Sequence, residues 1–371
     1  MRVPLFRVHV PPGAQARIGE TLASGHIAHG ARVAEFEARL AEFLGAERVC
    51  AASEFSAALT LSLYLAGVRP GDDVVVSPMS CLATTMPIAN LFARPVWCDV
   101  DPATGMPDAE RAAAALTERT RAVIAYHWSG NVADLAALRR LARARGAMLI
   151  SDASEAFGAE FDGRRLGAAE ADFTVYSFSA VRQVTAGEGA AIVVADAAEF
   201  ERMRRIRRYG IHQASFRLPD GDLNPASDIA EPGFNFAMND IDATLGLAQM
   251  AHAEAIVRRH RDNGAFFDSA LQGTAGVTLL RQHPSGASAR WTYSLRAERR
   301  ADLMRKLHES GVGAQRLHLR NDRYACFSGS RRADPLAGVD AFDADNLSIP
   351  CGWWVTHEDR EFIAERIREG W

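Results

Sequence analysis

A chain of 371 residues, 48% hydrophobic and 24% charged, has ordinary globular composition, which excludes extended disorder and a fibrous class. Its formal net charge of -4 gives no electrostatic reason to expect a nucleic acid or an anionic membrane as partner. The first ten residues lack the apolar core of a secretory signal and no stretch is long enough to span a bilayer, so a cytoplasmic protein is expected.

Along the chain, Phe36, Leu40, Phe43 and Leu44 recur at helical spacing and predict an amphipathic helix over Val33 to Leu44. Apolar strand-like runs then alternate with helical stretches. The strands are expected at Asp73 to Val76, Pro95 to Asp99, Ala122 to Tyr126 and Met148 to Asp152, and helices at Asp108 to Leu116 and Asp134 to Arg145. Two further strands, Phe173 to Phe178 and Ala190 to Val194, flank a Gly-rich turn. Near-continuous apolar strands in alternation with helices imply a mostly parallel sheet covered on both faces, an α/β fold.

A loop rich in Pro, Asp and Gly, from Leu218 to Gly233, precedes a long helical pattern from Asn239 to about Leu271, with Ile241, Leu245, Ala248 and Ala251 on one face. From about Val277 the pattern shifts to shorter elements, so residues 1–250 are read as a large domain and 251–371 as a smaller α+β domain. The Arg-rich stretches Arg139 to Arg145 and Arg202 to Arg208 have acids nearby and read as solvated helix faces. Cys50, Cys81, Cys98, Cys326 and Cys351 form no CxxC pair, so buried reduced thiols are expected and no metal site.

Ligands of open α/β sheets sit outside the carboxyl ends of the strands, which singles out the residues just after each strand. Asp152 ends one strand within Ser-Asp-Ala-Ser-Glu-Ala-Phe-Gly, residues 151 to 158. A carboxylate there can pair with a protonated pyridine nitrogen or cap the next helix, and spacing does not choose between the two. The segment Tyr176-Ser-Phe-Ser-Ala-Val-Arg-Gln-Val-Thr-Ala-Gly-Glu-Gly carries the densest pattern. It resembles the DegT/DnrJ/StrS family of pyridoxal-phosphate sugar aminotransferases, which reads Phe-Ser-Phe, three residues, a lysine, then Thr-x-Gly-Glu-Gly. Further matches run through Ser24 to Ile27, Asp99 to Pro102, His127-Trp-Ser-Gly, Asp152 to Gly158, Gly233 to Ile241, His318 to Asp322 and Gly352 to Thr356.

The resemblance implies a fold-type-I homodimer acting on a small molecule, in this family usually a nucleotide-linked keto sugar, with each site built from both subunits. By position, Asp152 faces the pyridine nitrogen, Glu155 the ring hydroxyl, and Ser177, with the retained hydroxyl of Ser56, the phosphate. Asn235 reaches the phosphate from the neighbouring subunit, and His318, with Arg320 and Asn321, lies near the substrate.

Three departures stand out. Arg182 occupies the position of the Schiff-base lysine, and a guanidinium offers neither a free amine to an aldehyde nor a ready general base. Of 42 basic residues only Lys306 is a lysine, and it falls in the small domain. The phosphate loop reads Ser53-Glu54-Phe55-Ser56, where Phe55 is expected to block close approach of the backbone and Glu54 to add a like charge. Cys81 stands where an aromatic ring usually covers the cofactor.

The expectation is therefore an enzyme of sugar or small-molecule biosynthesis with no covalently bound cofactor. Arg182 would clamp or stabilise negative charge, with His127 and Glu188 moving protons. Non-covalent pyridoxal or pyridoxamine phosphate, in an aminotransferase or dehydratase, is one alternative. A non-catalytic subunit that pairs with an active paralogue is another.

Overall fold

The structure, a computed structural model, describes residues 1–167, 169–330 and 335–371. Among these, a seven-stranded sheet runs in the order Val49–Ala52, Ala190–Val194, Phe173–Ser177, Met148–Asp152, Thr120–Tyr126, Asp73–Val76, Arg94–Trp97. Only Ala190–Val194 is antiparallel to its neighbours. The strands Val49–Ala52, Phe173–Ser177 and Ala190–Val194 are buried along their whole length, as helix-covered strands must be. The mostly parallel α/β fold is thus as its alternating pattern implies.

Boundaries shift by caps more than by error. Asp108 and Asp134, expected inside helices, are the N-caps of Ala109–Ala115 and Leu135–Ala144, each accepting a backbone N–H with its side chain. The single long helix expected after Asn239 is two, Asp240–Met250 and Ala253–Leu271. They part beside the amino-terminal segment, where the Gln249 side chain donates to the His9 carbonyl. Ile241 and Leu245, placed on one apolar face, are only half-buried, whereas Ala243, Gly246 and Ala248 are buried. Gly246 sits there because an added Cβ would come within 2.7 Å of the Phe36 ring.

A second core lies around the antiparallel sheet Val277–Leu279, Tyr293–Ala297, Asn346–Ile349 and gathers Phe267, Leu271, Leu303, Leu307, Ile363 and Ile367. Val3 from the amino terminus is part of it. Helix Ala253–Leu271 begins against the main core through Ala253 and Val257 and ends in the second through Phe267 and Leu271. No helix among the described residues is long and apolar enough to cross a membrane. Cys50, Cys98 and Cys351 are buried free thiols, but Cys326 is exposed and Cys81 half-buried, which corrects the expectation of five buried ones.

Candidate active site

Beyond the carboxyl ends of the parallel strands lies a cavity of about 170 Å³. Glu54, Phe55 and Ser56 enter it from the start of the helix after the first strand, Cys81 and Ala83 from the start of helix Leu82–Asn90, and Ser154 from the turn after Asp152. Ser177, Ser179 and Arg182 follow the strand Phe173–Ser177, and Glu188 precedes Ala190–Val194.

Arg182 is the central feature. Its side chain is only 8% exposed, and Nη1 lies 3.7 Å from Glu155 Oε1, close enough for charge attraction and too far for a hydrogen bond. The guanidinium carbon lies 4.2 Å from the ring centroid of Trp291. Trp291 is itself fixed by its indole N–H, which donates to the Val181 carbonyl at 2.8 Å, and by stacking on Phe6 at 5.0 Å. An arginine resting on an aromatic face in this way gains about 0.5–2 kcal/mol. Yet Arg182 Nε and Nη1, like the Ser154 hydroxyl, have no hydrogen-bond partner among the described residues. Buried polar atoms are nearly always satisfied, so three orphans around one cavity point to a polar ligand.

Beside Arg182 stands a buried network. Glu155 Oε1 accepts from His318 Nε2 at 2.8 Å, and the Tyr126 hydroxyl lies 3.0 Å from the same nitrogen. Glu155 Oε2 accepts the Ser129 backbone N–H at 2.7 Å. Ser129 reaches that position with φ 57, a left-handed conformation uncommon for a residue other than glycine, and its hydroxyl donates to the Thr292 carbonyl at 2.9 Å. Gly130 follows at φ 91, where a Cβ would approach the Arg290 nitrogen to 2.8 Å. The His-Trp-Ser-Gly motif thus builds the support of Glu155. Burial opposes ionisation of Glu155, but His318, Arg182 and Tyr126 outweigh it and hold its carboxyl below the usual range.

Asp152 behaves oppositely. It is fully buried and accepts from the Thr84 hydroxyl at 2.6 Å and the Ser154 N–H at 3.0 Å, and burial still pushes its carboxyl up. Glu188, at the mouth, is also raised, by partial burial and by the neighbouring Glu54 and Asp242 carboxylates, against the pull of Arg182. Two carboxyls pushed up and one pushed down around a single cleft give distinct proton-holding roles.

Several expected residues lie elsewhere. Tyr126 and His127 are consecutive at a strand end, where side chains alternate between faces, and Tyr126 takes the cleft side. His127 is completely buried away from the cavity: Nδ1 accepts the Ala133 N–H at 3.2 Å, so Nε2–H donates to Ser151 Oγ at 2.8 Å. Burial pushes its pKa down to about 3, which leaves a neutral packing residue and not a proton shuttle. Because the unfolded imidazole protonates near its ordinary value, the unfolded state binds more protons below about pH 6.5, and stability falls as pH drops toward 3. The wild-type urea midpoint should fall steadily across that window. The slope should flatten for His127→Asn, whose amide oxygen can still accept from Ala133; an unchanged slope would place the acid sensitivity elsewhere.

Arg320 is occupied by Asp322 at 2.7 Å and by Asp340, and Asn321 donates to the Ser80 carbonyl and the Thr85 hydroxyl, both at 3.1 Å. These two pin the loop that carries His318 and do not line the cavity. Asn235 is exposed and bridges Arg208. Phe55, expected to obstruct the phosphate loop, does line the cavity, as does Glu54, but it is only 7% exposed and also belongs to the main core. Lys306 donates to the Gly370 carbonyl at 2.6 Å and pairs with Glu369, far along the small domain. No sequence motif marks Tyr126, Thr84 or Trp291 as part of the site; only the strand alternation at Tyr126 offers a signal.

The sheet order, the small domain and a carboxylate poised at the end of Met148–Asp152 define the fold-type-I aminotransferase class. Within it, the chain belongs to the DegT/DnrJ/EryC1/StrS aminotransferase family, whose model matches residues 12–368. It is 30% identical over 289 residues to the spore coat polysaccharide biosynthesis protein SpsC of Bacillus subtilis (strain 168), covering 78% of this chain and 74% of that protein. It is also 30% identical over 278 residues to a UDP-4-amino-4-deoxy-L-arabinose–oxoglutarate aminotransferase of Shewanella sediminis (strain HAW-EB3), covering 75% and 71%. Among solved structures, the sugar aminotransferase CalS13 of Micromonospora echinospora superposes with a TM-score of 0.93 at 33% identity over 100% of both chains. AtS13 of Actinomadura melliaura does so at 0.93 and 34%, over 100% of this chain and 99% of that one.

Pyridoxal phosphate needs a carboxylate for its ring nitrogen, donors for its phosphate and a primary amine for its aldehyde. Asp152 supplies the first. For the second, helix Phe55–Leu65 opens on the cavity with no side-chain cap from Glu54, next to the hydroxyls of Ser56, Ser177 and Ser179. For the third, no lysine lines the cavity among the described residues: Arg182 does, and the single lysine, Lys306, is bonded to Gly370. The residues fit the ring and phosphate of the cofactor and do not fit its covalent attachment.

Proposed function

We propose that this chain is an enzyme of sugar biosynthesis that binds a nucleotide-linked sugar in the cleft and transforms it without covalent attachment to a lysine. The observation that carries this reading is the buried guanidinium of Arg182, seated on Trp291 and ion-paired with Glu155, with Nε and Nη1 left without a hydrogen-bond partner among the described residues. Such a group is a fixed positive charge for a carboxylate, a phosphate or an oxyanion that develops during reaction. Glu188, with its raised carboxyl at the mouth, supplies or removes a proton there. His318, oriented by Glu155 and Tyr126, provides the second proton-transfer group in place of His127. The sugar-linked relatives support the substrate class. The exposure of Asn235 is compatible with a homodimer in which it reaches the neighbouring cleft, as the family resemblance implies.

Incubation with pyridoxal phosphate, glutamate and a panel of UDP- and dTDP-linked 4-keto sugars should give no amino sugar by mass spectrometry. Such product from the wild type would sink the proposal. Conversely, whichever nucleotide sugar is consumed should no longer turn over with Arg182→Ala, and equal turnover in that variant would count equally against it.

A second reading is favoured by Asp152, whose buried carboxyl is aimed by Thr84 and Ser154 as a partner for a pyridine nitrogen. On this reading pyridoxamine phosphate binds non-covalently. Calorimetric titration of the dialysed protein decides it: saturable binding that is lost in Asp152→Ala supports a held cofactor, and no heat removes it.

A further inference from the structure

The stretch Arg202 to Arg208, which reads in sequence as a solvated helix face, is divided by the structure. Arg202 pairs with Glu231 at 2.6 Å, Arg204 with Glu201 at 3.3 Å, and the buried Arg207 with Glu37 at 2.6 Å. Arg205 and Arg208 are different. Both are half-buried, and neither side chain has a hydrogen bond or an ion pair with a described residue. Together with His29 and His212 they line a concave cavity of about 160 Å³ at the carboxyl end of helix Ala197–Ile206, which shares no residue with the cleft.

The one acid lining this cavity is Glu201, already engaged by Arg204. The His29 ring, whose Nδ1–H donates to the Met238 carbonyl at 3.2 Å, is held below its ordinary pKa by burial and by Arg207 and Arg208, against Met238 and Glu37. A helix carboxyl end modestly favours exposed cations, which accounts for solvated arginines but not for two half-buried ones facing a concavity. Guanidinium forks match phosphate oxygens two at a time.

We propose that this cavity binds a phosphate-class oxyanion through Arg205 and Arg208, with His29 and His212 at its edge. The ligand is free phosphate or diphosphate, or the diphosphate of a nucleotide, and the two sources are separable. Neither arginine side chain bonds to a described residue, so Arg205→Gln/Arg208→Gln should fold, with a thermal midpoint unchanged from wild type.

The test is calorimetry in low-salt buffer with sodium pyrophosphate and, separately, UDP, on wild type and the double variant, repeated in an Arg182→Gln background that silences the cleft. Saturable binding of pyrophosphate, weakened at least tenfold by the double variant in both backgrounds, is expected. Equal affinity for the two ligands identifies free phosphate as the source, and tighter UDP binding a nucleotide. Absence of saturable binding by wild type, unchanged affinity in the double variant, or complete loss on Arg182→Gln alone overturns the site; the last outcome would leave the cleft reading intact.

Discussion

Arg182→Lys is expected to give this chain a covalent hold on pyridoxal phosphate. The side chain of residue 182 already enters the cavity between Glu155 and Trp291, and the ring and phosphate ends of the cleft are furnished by Asp152, Ser56, Ser177 and Ser179. What arginine lacks is a nucleophilic amine: its guanidinium remains protonated at every physiological pH. A desolvated lysine amine, by contrast, loses its proton far more readily than a guanidinium. After incubation with the cofactor, borohydride reduction and peptide mapping, the variant should carry close to one pyridoxyl group per chain at residue 182, and wild type none.

The composition supplies an internal control. Lys306 is the single lysine of the natural sequence and is tied to Gly370 and Glu369, so label there measures nonspecific reaction. Cofactor bound by the variant but never trapped would mean that the amine and the aldehyde do not meet. No binding at all would mean that the ring and phosphate ends have diverged as well.

Much of this cleft was legible because a strand end is a position that periodicity can find. Asp152, Ser177 and Glu188 adjoin strands whose apolar runs are unbroken, and Arg182 stands out against the motif around it. What periodicity does not say is which face a terminal residue takes. His127 looked chemically apt, but the side facing the cleft belongs to Tyr126, and burial leaves the imidazole neutral. Arg320 and Asn321 follow His318 in sequence yet turn away to hold Asp322, Asp340 and the Ser80 to Thr85 segment. Trp291 lies more than a hundred residues from Arg182, in a stretch with no motif, and only folding brings the ring beneath the guanidinium. The arginines of the Arg202 to Arg208 run were indistinguishable in sequence because the acids that neutralise some of them, Glu37 and Glu231, are distant.

The largest stability effect should come from Glu155→Gln. Glu155 is wholly buried, and its negative charge offsets Arg182 on one side while it accepts from His318 on the other. Removing one partner of a buried charge pair leaves the other uncompensated in a low dielectric, at a cost of about 3–5 kcal/mol. Arg182→Gln should cost less, since Glu155 keeps the hydrogen bonds of His318 and the Ser129 N–H. In the double variant no charge is stranded, so urea unfolding should show the two losses to be non-additive by about 1–2 kcal/mol.

The pH dependence has a definite sign. The native carboxyl is held below its ordinary value, so this stabilisation is present above the unfolded carboxyl's pKa and disappears as pH falls through the native one. Wild type and Glu155→Gln should therefore converge in acid and separate toward neutrality. Strict additivity, or a constant gap across that range, would mean that Arg182 is balanced by something other than Glu155, and the cleft's fixed positive charge would then need a different origin.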